Sequence, residues 1–474
     1  MTRALGCGAI AAVALLAVAC AMDSGRSTSR LALPASPGPG ARPAHVVVVS
    51  IAGLTSDLYR GDRGAMPHLS RLAREGVAAD AVRSVMPASP YPAHATLVTG
   101  QPPRVHGIVA DHRLGKRGVR AARYSHASLL RAPTLWQKVV QTKRVVASLA
   151  WPSTVGASIP LLLPDVEIGL RSHTWLDALA DSTTPQLLRL AAAQGGGDTA
   201  AATGGPARDA VLVGVACELV ASPQPPALLL IRLSQTAVSL ALAGPDSSAS
   251  RAAFGNADDE IARLLECLVD AGRIGATAFV VVGDHGVLPM HTLISPNKAL
   301  ESRGFITVSE DLHPQVISWT AISRSNGGSA FVYAEEAQAA LLARRALTDQ
   351  AERTGAFRVV SAEEMLGLGG DPDAWFGLEA EPGFAFSDSV RGPLLQPAAG
   401  RGAAGYLPDQ AGMDAGFVAW GRGIRRGVRV PTMRQEDVAP TLARLLGVEM
   451  DDAAGRVLVG AIGVPVGGKP KDAR

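Results

Sequence analysis

The chain has 474 residues, 47% of them hydrophobic and 4% aromatic, with a formal net charge of +3. That is enough apolar material for one large α/β domain or two to three smaller ones. The net charge is too small to point to a nucleic-acid or other polyanionic partner.

The first twenty residues, MTRALGCGAIAAVALLAVAC, place Arg3 before a small apolar run that ends in Ala-Val-Ala-Cys. This reads as a secretory signal over 1–19 with a lipidation site at Cys20. The run is barely long enough to span a bilayer, so an uncleaved anchor is the alternative. Residues 20–43, rich in Ser, Pro and Gly, read as a flexible tether. Together these segments predict export to a bacterial cell envelope, with lipidated Cys20 as the membrane attachment of a periplasm-facing lipoprotein. Cys7 leaves with the signal. Cys217 and Cys267 remain, each on an expected helix, and either pair in an oxidising compartment or stay as buried thiols.

Ala44 to Ile51 has the continuous apolar character of a buried strand, and AMPHLSRLAREGV that of a helix with Leu69, Leu72 and Val77 on one face, ended by Gly76. Residues 78–86 predict a second strand, and PAHATLVTG a helix stopped by Gly100. The alternation then repeats: PTLWQKVVQTK before RVVASLAW, RDAVLVGVACELVAS before ALLLIRLS, ADDEIARLLECLVDAGRIG before TAFVVVGDHG. GFVAWG is a further strand and RQEDVAPTLARLLGV a terminal helix. Continuous apolar strands alternating with helices predict an α/β fold with a mostly parallel sheet covered on both faces. The less regular stretch of about 295–400 reads as a small inserted cap within a domain of 44–450, with 451–474 as a tail.

Several stretches, in order, resemble the alkaline phosphatase superfamily, in particular its type I phosphodiesterase/nucleotide pyrophosphatase branch. They are VVSIAGL, MPHLSRLAREGV, YPAHATLVTGQPPRVHGIV, LAGPDS, VVVGDHGVLPMHTLISPN, GYLPDQAGMDAGFVAWGRGI and EDVAPTLARLLGV. The resemblance implies an α/β/α sandwich, a two-zinc site at the strand ends and a Thr or Ser nucleophile. Two zinc ions about 4 Å apart clamp the attacking and leaving oxygens of a phosphoryl displacement. Each needs three or four Asp or His ligands.

Placed on the family's motifs, most of those groups are missing. The first-strand Asp falls on Ala52, the nucleophile on Pro90, and the Asp-x-x-x-His pair on Ala237 and Ala241. The last His falls on Ala404 of GAAGY, and only Asp284 and His285 of GDHG keep ligand identities. All of these positions are expected at one end of the sheet. Asp284 and His285 then read as a hydrogen-bonded remnant pair satisfying each other. Ser89 is a displaced candidate nucleophile, although one residue of helix turns a side chain by about 100° away. His291 is a possible cleft residue, and His94 and His106 read as structural.

Two readings follow. In the first, the chain is a degenerate family member with no cofactor, acting by binding an unidentified ligand in the vacated cleft or as a scaffold. In the second, it is a phosphoric ester hydrolase with zinc on a rebuilt site of Asp284, His285 and His291, with Ser89 as nucleophile.

Overall fold

The valine run at Val46–Val49 lies in the middle of an eight-stranded sheet. A computed structural model describes residues 33–60, 64–115, 120–167, 174–197, 205–310 and 315–464. The signal, Cys20 and the start of the tether lie outside the described residues. In chain order, β1 (His45–Ile51), α1 (Pro67–Glu75), β2 (Val77–Ala79) and α2 (Pro90–Thr99) come first. Next are β3 (Val146–Leu149), β4 (Leu161–Leu163), α3 (Pro206–Ala221) and β5 (Leu228–Leu233). They are followed by α4 (Gln235–Ala243), α5 (Ser248–Asp270) and β6 (Thr277–Gly283).

A second region holds β7 (Leu288–Ile294), β8 (Ala321–Ser325), β9 (Ser329–Ala334), α6 (Ala337–Thr354), β10 (Phe357–Val360) and β11 (Phe376–Ala380). The chain then returns with β12 (Phe417–Gly421), β13 (Val428–Val430) and α7 (Val438–Leu446).

The sheet order is β13-β2-β12-β6-β1-β5-β3-β4, with β12 antiparallel to both of its neighbours and every other pair parallel. This is the expected α/β/α sandwich around a mostly parallel sheet. Val46 and Val48 pack with Leu228, Leu230 and Val280 against Leu97 and Val98 of α2 and Leu442 of α7. The side chains between them point to the opposite face, as the two-residue period of a strand demands. There α3 packs on β5, and α1 and α3 pack on α5. Both faces are therefore covered, which is why β1 contains no alternating polar residue. Each fully buried valine contributes roughly 1.5–3 kcal/mol.

Local departures from the sequence reading have physical causes. The strand expected over 78–86 is two short pieces, Val77–Ala79 and Val82–Arg83. Between them Asp80 pairs with Arg60 and Arg429 and interrupts the run. The helix expected from Pro92 begins at Pro90, because Pro is well suited to the first helical position. Residues 33–43, expected in the tether, lie against the body: the Gly40 amide donates to Gly463 O and the Gly423 amide to Gly38 O. Of the expected tail, Ala461 and Ile462 are buried. Cys217 and Cys267 form a disulfide between α3 and α5.

The four-stranded antiparallel sheet β8-β9-β11-β10, with α6 against it, lies within the region read as the cap. Its core of Phe331, Leu347, Phe357 and Leu378 is continuous with Met86 and Ala88, just before α2, and with Tyr406 and Leu407. The second region is thereby packed directly onto the amino end of α2.

Candidate functional site

Ile51 pairs with Leu233 on one side and Gly283 on the other, so β1, β5 and β6 end at one level. The residues that follow, Ala52, Ser234 and Asp284, stand side by side at the carboxyl edge, where open α/β sheets place their sites. The Gly53 amide donates to Asp284 Oδ1 at 2.9 Å. Gly53 has φ +71°, which favours glycine, and a Cβ there would meet Leu240 Cδ1 at 2.4 Å.

Leu240 belongs to α4, built from the stretch QTAVSLALA, rich in Ala and Leu and stopped at Gly244. Asp209 of α3 fixes its start, accepting from the Ser234 and Gln235 amides. Burial pushes the Asp209 carboxyl up to about 7 despite those two bonds. Thr236 Oγ1 donates to Ala52 O, tying α4 to the end of β1. The Arg401 amide donates to Ala241 O, closing the next segment over the helix. Leu240 therefore lies against Gly53. Ala52, Asp284 and His285 are buried nearby, at 2%, 0% and 5% exposure. Ala237 and Ala241 sit on α4 itself, half-buried and exposed. Gly53 and Leu240 also line a cavity of about 450 Å³, with Thr55, Asp57, Asp246 and Asp414 on its wall.

Asp284 and His285 do not satisfy each other. Asp284 Oδ1 accepts from the Gly53 and His285 amides. Its Oδ2 lies 3.4 Å from His285 Nε2, and both atoms are buried without a hydrogen-bond partner. His285 Nδ1 faces Gly286 O at 2.9 Å and donates to it. Burial alone would raise the Asp284 carboxyl. The charges of His285, His94 and Arg232, with the Gly53 amide, outweigh burial and hold it below the usual range.

His94 is structural in the same neighbourhood. Its Nδ1 donates to Pro90 O at 2.7 Å, and its Nε2 accepts from Ser50 Oγ at 2.8 Å. Burial pushes it down to about 4. Arg232, on β5 beside Ser50, is buried and 3.5 Å from Asp165, which also accepts from Tyr91 Oη. An arginine inside an apolar strand was the signal in the sequence for this buried charge network.

A two-zinc centre needs six or more protein donors. Among the described residues, no three His, Cys, Asp or Glu side chains are gathered so as to hold a metal ion. Two orphaned atoms on Asp284 and His285 do not fit that centre. His291, offered by sequence as a cleft residue, is exposed, bonded to Thr292 and edge-on to Phe384. His106 is buried against Thr96 and Ile108.

Pro90 and Ala404 line a cavity of about 340 Å³ between the end of α2 and the second region, and Pro90 O is linked through His94 to Ser50 at the end of β1. Ser89 also lines it. Its backbone is extended at the cap position of α2, so it is outside the helix and the rotation argument does not apply. The Ser89 hydroxyl donates to Asp111 Oδ1 at 3.2 Å, and the Tyr91 amide donates to the same oxygen at 2.9 Å. Arg324, also on the wall, is 3.1 Å from Asp388. Asp111 had passed unnoticed in the sequence, where it follows HGIVA with no spacing that marks it.

The sequence model of the family described as type I phosphodiesterase / nucleotide pyrophosphatase matches residues 46–366. No curated protein matches the chain. Similar solved structures include murine ectonucleotide pyrophosphatase/phosphodiesterase 5, in an inactive form in complex with AMP. It is 18% identical, with 88% of this chain and 97% of that one covered at a TM-score of 0.63. The human counterpart is 19% identical, with 85% and 95% covered at 0.62.

Proposed function

Because the chain belongs to the type I phosphodiesterase / nucleotide pyrophosphatase family, we propose that it is a member that has lost metal-dependent catalysis and acts by binding. The observation that supports this reading is the burial of Asp284 and His285, with no third His, Cys, Asp or Glu among the described residues gathered with them to hold a metal ion. Nucleophile and ligands are then missing together. Such losses act as a unit, since removing members of one constellation costs orders of magnitude without simple additivity. The cavity beside Pro90 and Ala404 is the place for a ligand, being concave, part apolar and lined by a few convergent polar groups.

Export as an envelope lipoprotein is the matching location. Arg3, the apolar run and Cys20 support it, as does the disulfide between Cys217 and Cys267, a bond typical of oxidising compartments. Among the described residues no helix is long and apolar enough to cross a membrane. In this reading the lipidated Cys20 is the attachment. Changing Cys20 to Ser then releases the protein from the membrane fraction or stalls its processing. Unchanged attachment and mobility point to an uncleaved anchor instead.

Metal content after dialysis, measured with turnover of a nitrophenyl phosphodiester, tests the catalytic half. The expected result is well under one zinc per chain and no turnover above a heat-killed control, with or without added zinc. Two bound zinc ions and chelator-sensitive hydrolysis would return the chain to the active hydrolases, with Ser89 and His291 the first residues to replace.

A further inference from the structure

Asp111 is placed where an anion would otherwise sit. The amino end of a helix offers unpaired N–H groups and a partial positive charge, which together attract anions. α2 is ten residues long, and its amino end opens on the cavity that Ser89 and Pro90 line. That end already holds a carboxylate of the chain itself. Asp111 Oδ1 accepts from the Tyr91 amide at 2.9 Å and from the Ser89 hydroxyl at 3.2 Å. The main chain of Asp111 is also held, its carbonyl accepting from the Tyr124 amide at 3.1 Å. The carboxylate is therefore a fixed part of the wall.

The rest of the cavity gives an anion little compensation. Its arginine, Arg324, lies 3.1 Å from Asp388 Oδ2, so that pair adds no net charge. Leu114, Leu293 and Phe386 supply apolar surface. A ligand fitting these groups brings an O–H or N–H donor for Asp111, on an uncharged body.

We propose that Asp111 is the specificity determinant of this cavity: it fills the anion position at the end of α2, so that the cavity admits uncharged, hydroxyl-bearing ligands and refuses phosphate esters. This rests on the reading of the cavity as a binding site, and it makes that site unlike one built for a phosphorylated substrate. Repulsion between a phosphate and a carboxylate a few ångströms apart, at the effective dielectric of a protein surface, corresponds to roughly a tenfold to hundredfold loss of affinity.

Asp111→Asn tests this. It keeps the size of the side chain and an oxygen for both hydrogen bonds, so the folded structure is retained; matching thermal unfolding checks that. Calorimetric titration with AMP and with adenosine, on the wild type and on D111N, compares one body with and without its phosphate. The expected result is that D111N binds AMP at least about tenfold tighter than the wild type does, while adenosine changes by less than about twofold. Wild-type protein that binds AMP as tightly as D111N overturns the proposal, as does a D111N protein that gains nothing for AMP. Because no turnover is read, failure here is distinct from discovery of catalysis in the metal and hydrolysis assay.

Discussion

The carboxyl edge of β1, β5 and β6 and the cavity at the end of α2 differ in how they hold polar groups. At the strand ends Thr236 ties α4 to Ala52, Leu240 lies against Gly53, and Asp284 and His285 are buried with orphaned polar atoms. At the end of α2 a cavity of about 340 Å³ carries Ser89, Asp111 and Arg324 on its wall. A buried polar atom without a partner is costly. A place open to water carries no such cost, so its polar side chains can persist and serve a new ligand.

The comparison breaks most sharply on restored charge. Ala52→Asp places a carboxylate at a buried position, and should destabilise the fold by roughly 3–5 kcal/mol. Ala404→His, at the cavity, should cost less than about 1 kcal/mol. Equal losses in urea unfolding would mean that the two regions do not differ as described. Neither change, nor Ala52→Asp joined to Pro90→Thr, should produce phosphodiester turnover, because Ala237, Ala241 and Ala404 would still leave one metal position unheld.

Leu240 itself is next. Leu240→Ala should cost about 2–4 kcal/mol, the usual range for a buried leucine. An exposed neighbour on the same helix, Leu242, should tolerate alanine within about 0.5 kcal/mol. Thermal or urea unfolding of the two variants decides it, and a Leu240 variant as stable as the Leu242 one removes the argument that Leu240 packs against Gly53.

Acid probes the buried imidazoles that pack against α2. His106 accepts the Ile108 amide at Nδ1 and pairs with Thr96 through Nε2, and burial pushes it down to about 3. The unfolded chain takes up that proton near pH 6.5, the native one only near its lowered value. Stability is therefore full above about pH 6.5 and falls as pH drops toward 3. Between pH 7 and pH 5 the loss from His106 should be about 2 kcal/mol. The slope should be shallower by that amount in a His106→Asn variant, followed by urea midpoints at each pH. The smallest effect belongs to the open side. Ser89→Ala removes one hydrogen bond to Asp111 and should cost about 1 kcal/mol or less.

Much of this was legible beforehand, and the divide follows how far each signal reaches along the chain. The valine run gave β1, and the alternation of apolar strands with helices gave a mostly parallel sheet with both faces covered. The identities of Ala52, Pro90 and Ala404 could be read one at a time. What could not be read depends on contacts between distant segments. QTAVSLALA was read only for Ala237 and Ala241. Its helix is fixed by Asp209, 26 residues before Gln235, and its meaning lies in Leu240 meeting Gly53. The sharing of one Asp111 oxygen by Ser89 and Tyr91 spans some 20 residues. The choice between paired and free cysteines needed the packing of α3 on α5, which no spacing discloses.

The bond from Cys217 to Cys267 closes a covalent ring 50 residues around, and β5 and α4 both lie within it. A protease that nicks the turn after α4, where Asp246 is exposed, cuts the ring without releasing a fragment. The nicked protein should keep its full mass on a non-reducing gel and fall into two pieces only once a thiol is added. A protein built this way can be clipped beside its buried strand ends and still travel as one molecule.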